Sequence, residues 1–428
     1  MKILYENVRI PEEYGFADEH IFLLTDGAFI NYIGREKPGE FDQAINCNGN
    51  LMIPGFYNSH CHAPMVMFRG FGEDLPLARW LNEKIYPAEE RLNPENVRIA
   101  SKYAIAEMLK NGIVSFSDMY MFVNSTAESV LETGIKANLS RSLVSFGKDA
   151  TVKGDWRFKE SIEWINQYNN ANNGRLKMDM SLHAEYTNQE RYMREVAEYT
   201  AANGLRMQIH ASESEKEHIE CIGRHGKTPI EYLLDTGVLL APTTLAHCVY
   251  VTDSDMDIIR DNGAFVSHNA TSNLKLGSGI ARVPNMLEKG VCVSLGTDGA
   301  ASNNTLDIMR EYQLAAILHK GVNRDAEATR ATQLLDIATL NGAKSQGRDD
   351  CGKLVVGNRA DLVLIDLNAI NNQPCFDTYC TLAYSANSSN VLMTVVDGEI
   401  LYHNGQFTTM DIEKVKYEFD HVCKHYFD

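Results

Sequence analysis

A regular alternation of apolar runs and amphipathic stretches fills the middle of the chain and restricts its fold more than any other feature. The apolar runs that we interpret as strands are 51–59, 112–118, 136–144, 176–183, 205–210, 243–247, 263–268 and 291–296. Segments with helical periodicity, such as 94–110 and 253–261, lie between them. Strand–helix units repeated in this way predict an α/β chain built on a parallel (β/α)8 TIM barrel. A doubly wound open sheet is the alternative, but its usual GxGxxG motif is absent from the sequence.

The two ends of the chain share a pattern that differs from that of the middle. Short alternating runs occur at 2–10, 21–34, 44–53, 353–356, 360–367 and 391–402. The last of these contains an Asp397-Gly398 hairpin signal. Because each end alone is too short to bury a core, we predict that residues 1–54 and 349–428 build one composite β-sandwich domain. Residues 55–348 would then form the barrel, which we expect to be the catalytic domain.

Charge and cysteine content narrow the class of protein. The chain has 40 Lys+Arg against 57 Asp+Glu, a net charge of −17, which argues against binding to nucleic acid or to an anionic membrane. A small nucleoside ligand stays open, since the charge can lie far from its pocket. The nine cysteines have no regular spacing, and neither a signal-peptide core nor a membrane-spanning run is evident. We therefore expect a cytoplasmic protein with reduced thiols, its oligomeric state open and a homo-oligomer included.

The first predicted strand ends in a pair of histidines. The segment LMIPGFYNSHCHAP covers residues 51–64 and contains His60 and His62. Side chains alternate along an extended strand, so these two imidazoles point the same way while Cys61 faces the other side. Two imidazoles on one face at a strand end make half of a metal site.

Other strand ends carry further histidines and acids. They are His183, His210 with the nearby Glu213, His247, His268 and Asp298. Each alone has an ordinary interpretation as a buried histidine, a first-turn helix acid or an Asx turn. Because a (β/α)8 barrel carries its chemistry at the carboxyl ends of its strands, the whole set favours a single metal hydrolase site.

Sequence motifs of other hydrolases are incomplete. His183-Ala184-Glu185 supplies the HxE of a cytidine-deaminase zinc site, but no PCxxC follows it. The sequence also lacks HExxH and GxSxG, and the GKT at 226–228 lacks the glycine that a P-loop needs. These absences argue against zincins, serine hydrolases and P-loop proteins.

Longer motifs resemble the amidohydrolase superfamily, in the branch that includes the methylthioadenosine/S-adenosylhomocysteine deaminases. The resemblance covers nearly the whole chain and rests on PGFYNSHCHAPMVMFRGFGEDLPLARWL, YPAEERL, HASES, LAHCV, SHNATSNLKLGSGIARVP and LGTDGAASNN. It implies one divalent metal ion per subunit, Zn²⁺ first and Fe²⁺, Mn²⁺ or Ni²⁺ as alternatives. The implied ligands are His60, His62, His210 and Asp298. Members with two metals carry a carboxylated lysine at the end of strand 4, where this chain has His183.

The resemblance also implies a reaction and the residues that perform it. The reaction is hydrolytic deamination of 5′-modified adenosines, namely 5′-methylthioadenosine, S-adenosylhomocysteine, adenosine and 5′-deoxyadenosine, to inosine analogues and ammonia. Glu213 is the implied proton shuttle, and His247 and Asp298 are the implied catalytic partners of the attacking water. The implied substrate contacts are Glu89 with the ribose hydroxyls, Arg141 near the 5′ substituent, His183 at the purine, and Glu213 and Asp298 at the reacting ring.

Two departures from the family pattern bear on the substrate. Glu185 stands where the family usually has proline, and Lys148 and Lys153 lie where a second arginine would hold a homocysteine carboxylate. A related amidohydrolase acting on guanine or an aminotriazine is the first alternative, and Glu89 discriminates against it, because a free base has no diol to bind. A non-catalytic binding protein of this family is the second, and it would be expected to have lost metal ligands.

Overall fold

The computed structural model describes residues 1–16, 20–147 and 149–426. The strands are β1 (Lys2–Val8), β2 (Ile21–Asp26), β3 (Phe29–Gly34), β4 (Gln43–Asn46), β5 (Leu51–Pro54), β6 (Phe56–His62), β7 (Ile113–Tyr120), β8 (Lys136–Leu143), β9 (Leu176–Met178), β10 (Met180–Ala184), β11 (Met207–Ala211), β12 (Thr243–His247), β13 (Phe265–His268), β14 (Cys292–Leu295), β15 (Asp298–Gly299), β16 (Leu362–Ile365), β17 (Val391–Val396), β18 (Glu399–His403) and β19 (Gln406–Phe407). The α-helices are α1 (Leu77–Trp80), α2 (Tyr86–Glu89), α3 (Pro94–Lys110), α4 (Val123–Thr133), α5 (Trp156–Tyr168), α6 (Ala171–Gly174), α7 (Glu190–Ala202), α8 (Glu215–His225), α9 (Pro229–Asp235), α10 (Asp253–Asp261), α11 (Ala270–Lys275), α12 (Val283–Glu288), α13 (Ala300–Asn303), α14 (Ile308–Asn323), α15 (Ala331–Ala338), α16 (Leu340–Ser345), α17 (Thr378–Tyr384) and α18 (Ile412–Tyr426).

A curled parallel sheet, similar to a TIM barrel, forms the centre of the molecule. Its strand order is β14-β13-β12-β11-β10-β8-β7-β6-β15, and β9 pairs with β8. The chain passes from β14 almost directly into β15, which pairs with β6 through Asp298 and Cys61. The sheet therefore curls back to its own first strand. Because the strands are parallel, their carboxyl ends share one edge, where the predicted histidines and acids lie.

The predicted strand 51–59 is wrong as a single strand. Leu51–Pro54 pairs antiparallel with β16, whereas Phe56–His62 pairs parallel with β7. The change of sheet occurs at Gly55, where an added Cβ would lie 2.3 Å from the Val114 side chain. A side chain does not fit there, so glycine permits the close approach that separates the two strands.

Two smaller sheets come from the ends of the chain. One has the order β3-β2-β1-β4, and the other has the order β19-β18-β17-β16-β5. Tyr5 and Leu23 of the first sheet share a buried apolar core with Leu362 and Met393 of the second. Apolar side chains on one face of each sheet explain this packing, because neither sheet alone can remove that face from water.

The C-terminal helix packs on the outside of the parallel sheet's first helix. The rings of Tyr103 in α3 and Phe419 in α18 stack with their centroids 3.9 Å apart. Helix α3 begins at Pro94 and is capped by Asn93, whose side chain accepts from the Asn96 backbone amide. Among the described residues, no helix is long and apolar enough to cross a membrane.

Candidate active site

Five side chains converge at the carboxyl edge of the parallel sheet. They come from β6 (His60 and His62), β11 (His210), β12 (His247) and β15 (Asp298). Ligand atoms of His60, His210, His247 and Asp298 all lie within 4.8 Å of one another. The Nε2 atom of His62 lies 3.2 Å from Asp298 Oδ1 and 3.3 Å from His210 Nε2. We call these five residues the His–Asp cluster.

Backbone carbonyls orient two of the imidazoles. The Nδ1 atom of His62 lies 2.8 Å from the Met119 carbonyl oxygen, and that of His210 lies 2.7 Å from the His183 carbonyl oxygen. A carbonyl oxygen only accepts, so each Nδ1–H donates and the Nε2 atom of each ring faces the cluster. The Nε2 atom of His60 is buried and forms no hydrogen bond with the described residues. The Nε2 atoms of the three rings thus face one small volume.

The Asp298 carboxylate is held by hydroxyl groups on one side. Its Oδ2 atom accepts from Ser272 Oγ at 2.6 Å and from Ser302 Oγ at 2.9 Å. Its Oδ1 atom faces the imidazoles, 3.5 Å from His60 Nε2 and 3.2 Å from His62 Nε2. One oxygen is therefore committed to the serines and the other is directed into the cluster.

His247 and Glu213 lie side by side. The Nε2 atom of His247 is 3.9 Å from Glu213 Oε2, and its Nδ1 atom is 2.7 Å from Asn273 Oδ1. Glu213 Oε1 accepts from the Ser278 hydroxyl at 3.2 Å. Burial raises the pKa of Glu213, because water that would solvate the carboxylate is excluded. Burial therefore favours the protonated form of the Glu213 carboxyl group over the ionised form.

Burial and the Asp298 carboxylate shift the pKa values of the cluster in opposite directions. Burial lowers the pKa of His60 to about 4 and that of His210 well below its ordinary value. Burial also lowers the pKa of His62, but the Asp298 carboxylate outweighs it and raises that pKa to about 9. The pKa of Asp298 is held well below its usual range, because His60 and His62 outweigh the effect of burial. A metal cation bound to the same carboxylate would displace the proton of His62.

Three strand ends at this edge have strained backbones. Ser212, His247 and Asp298 have φ angles of 52°, 77° and 59°. Residues other than glycine adopt this left-handed region rarely and at a cost, and such residues concentrate at functional sites. The conformation occurs at or next to the residues of the cluster, which indicates that the fold retains it to place these side chains.

A cavity of about 570 Å³ opens above the cluster. His62, His210, His247, Asp298 and Glu213 contribute to its lining. Much of the remaining wall is apolar and includes Leu77, Trp80, Leu81, Met121, Val144 and Phe146. Its volume is in the range of sites for small organic ligands.

Two further predicted contacts, Glu89 and His183, line the same cavity. Glu89 is the last residue of α2, and burial raises the pKa of its carboxyl group although the Tyr120 hydroxyl opposes that shift. The Nδ1 atom of His183 lies 3.2 Å from Thr187 Oγ1, which orients the ring. The structure therefore brings Glu89, His183 and the cluster together in one chamber.

Arg141, the expected contact with the 5′ substituent, is not among the residues that line the cavity. Its neighbour Ser142 lines the cavity, and alternation along β8 turns Arg141 to the other face. There its Nη1 atom lies 2.9 Å from Glu160 Oε2, and its guanidinium group lies 4.7 Å from the centroid of the Trp156 ring. Arg157 of α5 lines the cavity instead.

Two of the residues that depart from the family pattern, Glu185 and Lys153, are not part of the cavity lining. Glu185 is 2% exposed, and its Oε1 atom accepts from Arg224 Nη2 at 2.5 Å. Lys153 is exposed and is not part of the lining. Lys148 lies outside the described residues.

Comparison with known proteins settles the family. Residues 51–401 match the model of the amidohydrolase family, which is most of the chain. The chain belongs to this family. The match includes all five residues of the His–Asp cluster and extends through both the parallel sheet and most of the five-stranded sheet.

Relatives of this amidohydrolase are similar along nearly the whole chain. A 5-methylthioadenosine/S-adenosylhomocysteine deaminase of Acetivibrio thermocellus is 40% identical over 431 residues, 99% of each chain. A 5′-deoxyadenosine deaminase of Methanosarcina acetivorans is 40% identical over 393 residues, 92% of this chain and 90% of the relative. The crystal structure of an adenosine deaminase from Xanthomonas campestris with bound zinc has a TM-score of 0.91 at 28% identity, covering 99% of this chain and 98% of that one.

The donor set of the amidohydrolase fits one divalent metal ion. Imidazole nitrogens and a carboxylate oxygen are ligands of zinc and similar ions, and metal-bound histidines commonly donate their other N–H to a carbonyl, as His62 and His210 do. The Nε2 atom of His60, buried without a hydrogen bond to the described residues, gains a partner if a cation binds there. The chemistry of the cluster thus agrees with a metal centre.

The site contains residues to which the sequence analysis assigned no role. Asn273 and Ser278 lie within the segment SHNATSNLKLGSGIARVP, so the motif was found, but their contacts with His247 and Glu213 are tertiary. Arg157 and Tyr120 belong to no quoted motif. Nothing in the order of residues indicated that Arg157, rather than Arg141, would reach the cavity of this amidohydrolase.

Proposed function

We propose that this amidohydrolase is a metal-dependent deaminase of 5′-modified adenosines, which it hydrolyses to inosine analogues and ammonia. The observation that carries the proposal is the presence of Glu89 in the same cavity as Glu213 and the His–Asp cluster. A carboxylate accepts hydrogen bonds from a vicinal diol, so Glu89 can hold the ribose while the purine lies at the cluster. The nucleoside deaminases among the relatives support this assignment.

We propose His60, His62, His210 and Asp298 as the ligands of one Zn²⁺ ion, with Fe²⁺, Mn²⁺ or Ni²⁺ as alternatives. The donor set suits each of these ions. His247 is the fifth member of the cluster, and its short contact with Asn273 and its place beside Glu213 support a role among the reacting groups. When bound, such an ion supplies Lewis acidity that lowers the pKa of water from 15.7 toward about 7.

Glu213 would deliver a proton to adenine N1. Burial raises the pKa of its carboxyl group, which favours the protonated form, and the Ser278 hydroxyl fixes one carboxylate oxygen. Protonation of N1 withdraws electrons from C6 and makes that carbon susceptible to attack by hydroxide. The C6–N bond then breaks, and the amino group leaves as ammonia after it gains a proton.

Asp298 and His247 would orient the attacking water and accept its proton. Ser272 and Ser302 hold one oxygen of Asp298, so the other oxygen keeps a constant direction toward the reacting volume. Asn273 holds His247 through Nδ1 and leaves Nε2 facing Glu213. Both side chains are positioned before substrate binds, which reduces the reorganisation that the reaction needs.

The remaining cavity residues provide substrate recognition. His183 would contact the purine, and Glu89 the ribose hydroxyls. Arg157 takes the place that we first assigned to Arg141, beside the 5′ substituent. Its Nε–H donates to Asp155 at 2.9 Å, which leaves its terminal nitrogens for a carboxylate such as that of S-adenosylhomocysteine. The apolar wall suits a methylthio or deoxy 5′ group.

We also propose the domain organisation expected from the sequence. Residues 1–54 and 349–428 would form the composite β-sandwich domain, and 55–348 the (β/α)8 barrel. The shared core of the two end sheets and the change of sheet at Gly55 support this division.

A related reaction on a free heterocycle, guanine or an aminotriazine, is the alternative. The direct test is ammonia release by the purified, zinc-loaded enzyme from adenosine, 5′-methylthioadenosine, 5′-deoxyadenosine, S-adenosylhomocysteine, guanine and an aminotriazine. We expect release from the nucleosides and its loss in Glu89→Ala, with exposed Glu95→Ala as the control. Release from a free base alone would exclude the nucleoside assignment and retain the metal site.

A further inference from the structure

A second buried glutamate lies directly behind Glu213. Glu217 is in the first turn of α8 and is 5% exposed. Its Oε1 atom accepts from the Ser212 backbone amide at 2.8 Å, and its Oε2 atom accepts from the Glu213 backbone amide at 2.7 Å. Both oxygens of one carboxylate thus bind the backbone of the turn that carries the proposed proton shuttle.

This turn depends on such a clamp. Ser212 has a φ angle of 52°, which a residue with a side chain adopts only when its surroundings hold it. The Ser212 carbonyl is fixed from the other side, because the amides of Val249 and Tyr250 both donate to it at 2.9 Å. Glu217 therefore holds the amide side of the turn, while the loop after β12 holds its carbonyl side.

Helix α8 has a fixed position relative to the cavity. At its start, the hydroxyl of Ser214 accepts from the Glu217 amide at 3.2 Å. Near its end, Arg224 Nη2 donates to Glu185 Oε1 at 2.5 Å, and Glu185 is two residues beyond His183. The helix is thereby tied to the turn that carries the proton shuttle and to the strand end that carries the purine contact.

We propose that Glu217 is a positioning residue for the proton transfer. It acts through Glu213, whose backbone it fixes so that the carboxyl group stays beside His247 and over the site of the purine. The proposal rests on the deaminase function proposed above, since it concerns the same proton. It assigns the interaction between Glu185 and Arg224 a supporting role, because that ion pair holds the far end of the same helix.

Glu217→Gln is the sharpest variant because it keeps the size and shape of the side chain. Its amide oxygen can still accept one backbone hydrogen bond, but its NH₂ group faces the other backbone N–H, and two donors cannot pair. Glu215→Gln is the matched control: it makes the same substitution in the same helix turn, but the side chain is exposed. Glu217→Asp keeps the charge on a shorter chain and serves if the glutamine variant fails to fold.

The test combines kinetics with hydrogen exchange. In Glu217→Gln we expect kcat to fall by about tenfold to a hundredfold with KM and metal content unchanged, because a displaced proton donor costs rate and not binding. In the Glu213→Gln background the same substitution should cost nothing further, since the group it positions is already lost. A structural role without relation to proton transfer would lower kcat equally in both backgrounds, and that result would overturn the proposal.

Hydrogen exchange of the backbone amides in segment 207–216, measured by mass spectrometry, tests the Glu217 hydrogen bonds independently of enzyme activity. Exchange should accelerate in Glu217→Gln and stay as in wild type in Glu215→Gln. If the wild-type enzyme deaminates none of the adenosine derivatives, the proposed function fails, while unchanged exchange in Glu217→Gln would disprove the clamp itself. An active wild type whose kcat does not respond to Glu217→Gln would refute this inference and leave the function in place.

Discussion

The hydroxyl of Tyr426 donates to the carbonyl of Ala88 at 2.5 Å. This hydrogen bond joins the last described turn of the C-terminal helix to the residue before Glu89. The Tyr426 ring also packs on Phe68, with centroids 5.8 Å apart, and Arg91 lies over it at 5.3 Å. The C-terminal helix, distant in sequence from the catalytic motifs, therefore supports the short helix that carries the proposed ribose contact.

Tyr426→Phe should weaken the binding of nucleosides without affecting chemistry. The loss of one hydrogen bond is worth about 1 kcal/mol, which corresponds to a roughly fivefold rise in KM with kcat unchanged. Steady-state kinetics with 5′-deoxyadenosine would measure it, and exposed Tyr417→Phe on the same helix is the control. A fall in kcat at constant KM would contradict a role through Glu89.

Glu213→Gln should abolish most turnover and leave the metal in place. The amide cannot deliver a proton to adenine N1, so kcat should fall by about 10²-fold or more. Zinc content by elemental analysis should stay at the wild-type value, because the proposed ligands are other residues. Turnover near the wild-type rate would remove Glu213 from the mechanism.

Arg157→Ala should affect substrates selectively. The value of kcat/KM for S-adenosylhomocysteine, which has a carboxylate on its 5′ substituent, should fall about tenfold. A hydrogen bond to a charged group contributes about 1.5–3 kcal/mol, and exposure to water reduces that contribution. Deamination of 5′-deoxyadenosine, which has no such group, should continue unchanged. Equal losses for both substrates would show that Arg157 supports the fold of the loop instead of binding the carboxylate.

Removal of the metal should cost both activity and stability. A cation bound only by the folded chain stabilises it, so chelation should lower the melting temperature and abolish ammonia release, and added Zn²⁺ should restore both. His60→Ala, which lacks one proposed ligand, should respond weakly to chelator and to zinc. Calorimetry and zinc titration measure these effects. If chelation left the melting temperature of the wild type unchanged, the ion would make no contribution to stability.

A buried ion-pair network makes the free energy of unfolding depend on pH in the acid range. The Oδ1 atom of Asp397 lies 2.7 Å from Lys136 Nζ and 3.0 Å from Arg359 Nη1. Burial raises the pKa of Asp397, but Lys136 and Arg359 outweigh it and lower that pKa to about 2. Because the folded pKa is below the unfolded value of about 3.9, the stabilisation is present above pH 4 and is lost between about pH 4 and 2.

Asp397→Asn should therefore cost on the order of 2 kcal/mol of unfolding free energy at pH 7, and the deficit should shrink as the pH falls toward 2. Urea unfolding at a series of pH values measures it, with exposed Asp349→Asn as the control. A deficit that is constant with pH would show that the carboxylate charge is not the cause.

The sequence was sufficient to predict which side chains share one face of a strand or one edge of the sheet. His60 and His62 share a face because strands alternate, and Cys61 faces Asp118 on the other side, with Sγ 3.6 Å from Oδ1. The ends of successive parallel strands must meet at one edge, so His210, His247 and Asp298 could be assigned to the same site before any distance was known.

What the sequence determined by itself was the alternation of strands and helices in the middle of the chain and the residue types at the strand ends, since both follow from periodicity within a few neighbours. Only the tertiary structure shows that 51–59 is divided between two sheets, and that Arg157 lines the cavity whereas Arg141 does not, because strand alternation turns Arg141 to the other face of β8. It alone paired Lys136 with Asp361, 225 residues apart, and Tyr426 with Ala88, 338 residues apart. Such contacts depend on how complete elements pack, and no local pattern encodes that packing.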